Sequence, residues 1–527
     1  MAPVIKQVLS FASILVLVSC SPEPAALRPD APVLSTAGGE VIGQRSQDGR
    51  TESFLGVPFA QPPVGDLRWA PPVPLIGMEG RFQATSFAPA CMQTDHITQW
   101  YRDVVTGFGG DPNVVVAPEV SEDCLYLNIW RPVRDSIDSA LPVIVYFHGG
   151  SNKGGWSFEP NYIGHHLAAK GAIVISISYR LSVLGFFSHP ALDHANFGLL
   201  DQIAALKWIN ANSESLGGDS DRIVLMGESA GANNIGQLLT MSESNGLFSR
   251  IIHQSGGSFM TERTKRETML KVGQEFASRA VGSEDDDVLF SMRQISPDKL
   301  VALANEVFKN YYFDPVIDGL SVSKSIVDVI LSGEMHPVDV LIGTNDDEWL
   351  MDLPSHVDAE VWLSEHVPEP FIPRLRELLN EEINERRKVD LLETAKHYVC
   401  PSLAVANQAA KMGKKTWVYL FTRQRQGDMA ATMGAYHGAE LPYIFDTHDD
   451  WLPTVEDDLI LTEKMQQYWI NFAVSGNPNQ PDLTEWPRYT NEQHKLLSLG
   501  DNMQTISHPS EPLCDLLGPA LPLQTRT

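Results

Sequence analysis

"RIVLMGESAGAN", residues Arg222–Asn233, sets an apolar run against very small residues and leaves one serine, Ser229, between two glycines. Ile223 to Met226 read as a buried strand and "ANNIGQLLTM" after Gly231 as a helix, so Gly227-x-Ser229-x-Gly231 spans a tight strand-to-helix turn. Glycines flank the serine at such a turn because larger side chains would collide with the neighbouring strand and helix. The turn holds the serine in a strained backbone conformation. It also lifts Ser229 to the carboxyl end of the sheet, beside helix N-terminal amides that stabilise negative charge.

Outward from this turn the chain alternates. "LPVIVYFHGG" (Leu141–Gly150) and "AIVISISYR" (Ala172–Arg180) are continuous apolar runs rich in β-branched residues, as expected of strands buried on both faces. A loop and a short helix lie between them, and "LLDQIAALKWINAN" (Leu199–Asn212) places apolar residues at helical spacing before Arg222. Strand, helix, strand, helix, strand predicts right-handed crossovers between parallel strands. The fold class is α/β, with a central, mostly parallel, twisted sheet flanked by helices.

A serine hydroxyl is a weak nucleophile at neutral pH, so it needs a base, and the base needs an acid to orient it. On such a sheet the chain order is Ser, acid, His. "VLIGTNDDEW" ends a buried strand at Gly343 and offers Asp346, Asp347 and Glu348, among which periodicity does not choose. Of the downstream histidines His356, His366, His397, His437, His448, His494 and His508, His437 lies in "GAYHGAELPYIF", between small residues and ahead of an apolar stretch. "FHGGSN" follows a buried strand with small residues that leave amides open to a developing oxyanion, each worth about 3 to 4 kcal/mol.

Composition sets the boundaries. The 527 residues are 43% hydrophobic, enough for a large core, and no repeat or low-complexity tract divides them. Asp and Glu (66) outnumber Lys and Arg (39), and the formal charge of −27 argues against nucleic acid as a partner. The acidity reads as a solubility feature. No CxxC or His/Cys cluster suggests a metal, and the chemistry needs no metal or organic cofactor.

Residues 1–19 read as a signal peptide, with an apolar Val8–Val18 too short to span a bilayer. "LVSC" (Leu17–Cys20) resembles a bacterial lipoprotein signal, in which Cys20 becomes the lipid-bearing N-terminus, and residues 20–32 form a Pro-rich tether. The expected location is the cell envelope, periplasm or outer membrane, with the membrane reached only through this lipid anchor. Residues 33–527 read as one catalytic domain. Cys91, Cys124, Cys400 and Cys514 then form an even set, suited to an oxidising compartment.

With these motifs in place the chain resembles the type-B carboxylesterases of the carboxylesterase and cholinesterase family, which are α/β-hydrolases. The matching stretches include "FLGVPFAQPPVGDLRWAPP" (Phe54–Pro72), "SEDCLYLNIWRP" (Ser121–Pro132), "SYRLSVLGFF" (Ser178–Phe187), "GGDSDRIVLMGESAG" (Gly217–Gly231) and "FAVSGNPN" (Phe472–Asn479). The resemblance implies large insertions forming a gorge over the active site, with a small-molecule ester as substrate. It implies Ser229 as nucleophile, Glu348 as acid and His437 as base, with the amides of Gly150, Ser151 and Ala230 as oxyanion donors. It further implies Cys91–Cys124 and Cys400–Cys514 disulfides and an Arg68–Glu122 ion pair. Three departures stand out. Ser151 replaces a Gly or Ala, Asn152 the usual aromatic, and Trp349 the common Gly after the acid. Trp100, between Cys91 and Cys124, matches no choline-binding tryptophan. An amidase on the same triad, or a binding protein of the kind that has lost the nucleophile, is the alternative.

Overall fold

Parallel pairing dominates an eleven-stranded sheet among the described residues. The computed structural model describes residues 31–75, 77, 80–133, 139–257, 260, 264–282, 287–427, 429–448 and 451–520, the last three without side chains. The segment read as a signal peptide, Cys20 and most of the residues read as a tether lie outside these residues. One compact unit takes in the described residues from Pro32 onward.

Numbered along the main sheet, the strands are β1 (Gln44–Arg45), β2 (Thr51–Pro58), β3 (Tyr126–Pro132), β4 (Leu141–Phe147), β5 (Ile173–Ile177), β6 (Gly218–Glu228), β7 (Arg250–Gln254), β8 (Asp339–Asn345), β9 (Thr416–Phe421), β10 (Lys495–Leu499) and β11 (Gln504–Ser507). Their spatial order is β11-β10-β9-β8-β7-β6-β4-β5-β3-β2-β1. From β10 to β5 every pair is parallel, and antiparallel strands close both edges.

The unbroken apolar runs are explained by two apolar layers. Val143, Val145 and Phe147 of β4 enter one cluster, while Ile144 and Tyr146 enter the other, so both faces are covered. Helix α2 (Phe197–Leu216) packs Leu199, Ile203 and Leu206 into the first layer. It begins two residues before and ends four after the span read from periodicity, because Gly217, at φ 80°, is the residue that can close it. The strand expected to end at Gly343 continues to Asn345, which still pairs with Phe421. Gly343 is no terminator. A Cβ there would lie 2.4 Å from the Tyr419 ring, so the glycine makes room for a cross-strand aromatic.

The insertions are tied down covalently and by charge. Cys91 is bonded to Cys124, and Cys400 to Cys514. The first bridge closes a loop carrying helix α1 (His96–Gly107); the second joins the helix Cys400–Lys411 to the helix Glu511–Ala520. Arg68 meets Glu122 at 2.7 Å and donates to the Ile295 carbonyl at 2.8 Å, so this pair joins three segments.

Candidate active site

Ser229 separates β6 from helix α3 (Ala230–Leu238) and has φ 54° and ψ −124°, a conformation costly for a side-chain-bearing residue. The fold holds it there. The Ser229 N–H donates to the Gln254 carbonyl at the end of β7, 3.0 Å away. A Cβ on Gly231 would lie 2.0 Å from the Phe147 carbonyl oxygen, and one on Gly227 would lie 2.8 Å from the Gly231 carbonyl carbon. Gly231 is therefore demanded by close packing of α3 against the end of β4, and Gly227 by the packing of α3 on β6.

Glu348, 1% exposed, lies just beyond β8. One carboxylate oxygen accepts the Asn345 N–H at 2.8 Å, and the other lies 2.6 Å from His437 Nδ1. Asp346 and Asp347 are turned towards Arg387 instead. Asp347 also accepts the Ala435 N–H at 2.8 Å, which fixes the turn leading to His437. Burial raises the Asp346 pKa despite Arg387 beside it. Trp349 does not disturb the turn, because its N–H donates to Asp390 at 2.9 Å.

The other downstream histidines have partners elsewhere or are exposed. His397 meets Glu393, His448 meets Arg425 and Thr462, and His494 meets Glu511. His366 contacts the Trp362 carbonyl, and the Ser510 N–H donates to His508. His356 is exposed.

Three buried carboxyls around this pair escaped the sequence reading. Glu228, the residue before Ser229, places Oε1 3.1 Å from His437 Nε2. Burial pushes its pKa up to about 8, against the pull of His437. Burial alone would lower the imidazole, but Glu228 and Glu348 on either side raise it above its ordinary value. Glu440 accepts from Gln254 at 2.9 Å and from Asn345 at 2.7 Å. Glu159 accepts the Tyr101 hydroxyl at 2.6 Å and the Trp156 N–H at 2.8 Å, and burial pushes it up to about 7. Only Glu228 left a trace in the sequence, as a carboxylate in an otherwise apolar and small-residue run.

Ser229, Glu348 and His437 line one cavity of about 350 Å³, together with Gly149, Gly150 and Ser151. This is within the range of small-ligand pockets. Ala230 is the first residue of α3, so its amide belongs to the helix N-terminus. Helix α1 supplies Trp100 and Tyr101 as part of the wall, while Tyr398 packs its ring 5.1 Å from that of His437. Among the described residues no group of His, Cys, Asp and Glu could hold a metal ion, and no helix is long and apolar enough to cross a membrane.

The profile of the Carboxylesterase family matches residues 30–517. The chain is 31% identical over 504 residues to the fumonisin B1 esterase of Sphingopyxis macrogoltabida, covering 88% of this chain and 86% of that one. It is 32% identical over 518 residues to carboxylesterase 4A of Bos taurus, covering 90% and 92%. Among solved structures, a PNB esterase superposes with a TM-score of 0.78 at 28% identity over 92% of this chain and 99% of its own. The carboxylesterase of Geobacillus stearothermophilus gives 0.76 at 27% identity, over 91% and 98%. An elbow serine that lines one cavity with a carboxylate–imidazole pair thus stands on a scaffold shared along nearly the whole length with ester-cleaving enzymes, and the chain belongs to the carboxylesterase family, as a type-B carboxylesterase that hydrolyses carboxylic esters.

Proposed function

We propose that ester cleavage runs through an acyl-enzyme on Ser229. His437 takes the Ser229 proton as the oxygen attacks the ester carbonyl, while Glu348 holds the imidazole in the required tautomer and stabilises its charge. The amides of Gly150, Ser151 and Ala230 receive the tetrahedral oxyanion. His437 then protonates the departing alcohol. Water, deprotonated by the same imidazole, attacks the acyl-enzyme and releases the carboxylic acid. The supporting observation is the 2.6 Å contact between Glu348 and His437 Nδ1 in the cavity that Ser229 also lines. The test is hydrolysis of p-nitrophenyl butyrate by the chain lacking residues 1–20, beside Ser229→Ala. The substitution should reduce kcat by about 10⁴-fold or more. A variant retaining a tenth of wild-type turnover would remove Ser229 from the mechanism.

Cys20, followed by the tether Ser21–Pro32, is proposed as a lipidated N-terminus that holds the enzyme at an envelope membrane. Mass spectrometry of the native N-terminus should find acylated Cys20. An unmodified terminus at another residue would refute the anchor.

A further inference from the structure

The oxyanion loop adopts an unusual backbone. Gly150, Ser151 and Asn152 are three consecutive residues with left-handed φ of 95°, 57° and 55°. Only the glycine takes this conformation freely, and asparagine tolerates it better than most side chains. A serine held there requires that its surroundings fix it.

The fixing contacts converge on Asn152, which is 2% exposed. Its carbonyl accepts the Ser182 N–H at 2.6 Å. Its Nδ2 donates to the Phe313 carbonyl at 3.0 Å, and because a carbonyl can only accept, this sets the orientation of the amide. The Oδ1 of Asn152 therefore faces Asn234, whose Nδ2 donates to it at 2.9 Å; the return contact, Asn152 Nδ2 to Asn234 Oδ1, is 3.4 Å. Asn234 is fully buried on α3, the helix whose first residue is Ala230. At the start of the same loop the His148 carbonyl accepts the Tyr179 hydroxyl at 2.7 Å.

The three amides assigned to the oxyanion sit on two separate segments, Gly150 and Ser151 on the loop and Ala230 on α3. We propose that Asn152 and Asn234 are positioning residues, whose paired amides fix the spacing between these two halves of the oxyanion hole. The proposal rests on the acyl-enzyme reading above. It accounts for the asparagine at position 152: with the usual aromatic there, the direct link to α3 would be missing. Neither side chain touches the reacting atoms. Their effect is on how well the three donors converge on one oxygen, and a displacement of the order of 1 Å costs about 100-fold in rate.

The test is a double-mutant cycle on the same chain with Asn152→Ala, Asn234→Ala and the double variant. The readouts are kcat and KM for p-nitrophenyl butyrate, Ki for an aryl trifluoromethyl ketone and for its methyl ketone counterpart, and Tm. The trifluoromethyl ketone adds Ser229 and places its oxygen anion in the hole, whereas the methyl ketone stays in its ground state. Each single variant should lose about 10- to 100-fold in kcat with KM within about twofold. Its trifluoromethyl ketone Ki should rise by the same factor while the methyl ketone Ki is unmoved. The double variant should be no worse than the poorer single one. If an alanine variant shows no melting transition, Asn234→Ser, too short to reach Asn152, should give the same pattern. A folded variant with wild-type kcat overturns the proposal, even when its Tm falls, and so do losses that multiply or a kcat loss without matching weakening of the trifluoromethyl ketone. In those cases an active wild type leaves the esterase mechanism standing. A wild type that neither turns over p-nitrophenyl butyrate nor binds the trifluoromethyl ketone overturns both.

Discussion

His437 has a carboxylate on each side, Glu348 at Nδ1 and Glu228 at Nε2, and this makes its protonation state the controlling variable of the site. Both acids favour the imidazolium, whereas base catalysis needs the neutral ring. Activity therefore rises as pH rises through the imidazole pKa. Glu228→Gln removes one of the two charges and should move the acid limb of kcat/KM down by about 1 to 3 pH units. A limb that stays in place or moves up would show that Glu228 does not act on His437. Ser229 and His437 stood out as candidates from their neighbours alone. Choosing Glu348 over Asp346 and Asp347 was not possible from local residues, because the distant Arg387 turns the two aspartates away. Glu159 was invisible for the same reason, since its partner Tyr101 comes from α1.

At the scale of elements, the buried strands were readable because both faces of the sheet are covered, so each central strand is apolar throughout. Their ends were harder to place. Gly343 looks like a stop but serves the Tyr419 ring on β9, a contact between strands far apart in sequence. Gly231 is the opposite case, a glycine whose turn reading holds and whose steric reason is visible. A methyl group there meets the Phe147 carbonyl oxygen, which belongs to a strand and cannot swing aside. Gly231→Ala should push α3 off β4, destabilise the fold by about 1 to 3 kcal/mol and lower kcat by displacing the Ala230 amide. Thermal unfolding together with kcat checks this. An unchanged Tm would mean that the helix start has slack the packing does not suggest.

For the whole molecule, the sequence reveals the acidity but not its distribution. The cavity wall carries Glu159, Glu228, Glu348 and Asp352, while none of its lining residues is Lys or Arg among the described residues. Around it the chain has a formal charge of −27. An anionic ester meets repulsion on approach, and the His437 imidazolium inside is already flanked by Glu228 and Glu348. The mono-p-nitrophenyl ester of succinic acid should therefore have a kcat/KM about tenfold or more below that of p-nitrophenyl butyrate, with the gap narrowing as salt is added. Equal values at low salt would show that the charge does not act on the substrate. The parallel order of the sheet has a further consequence in time. Ser229 follows β6, Glu348 follows β8 and His437 follows β9, so the serine is synthesised long before the groups proposed to activate it. Between them β7 must already be in register on both sides. On the proposed mechanism a partly made or partly folded chain thus carries an inert hydroxyl, and hydrolytic power arrives at once, when the last of these strands docks.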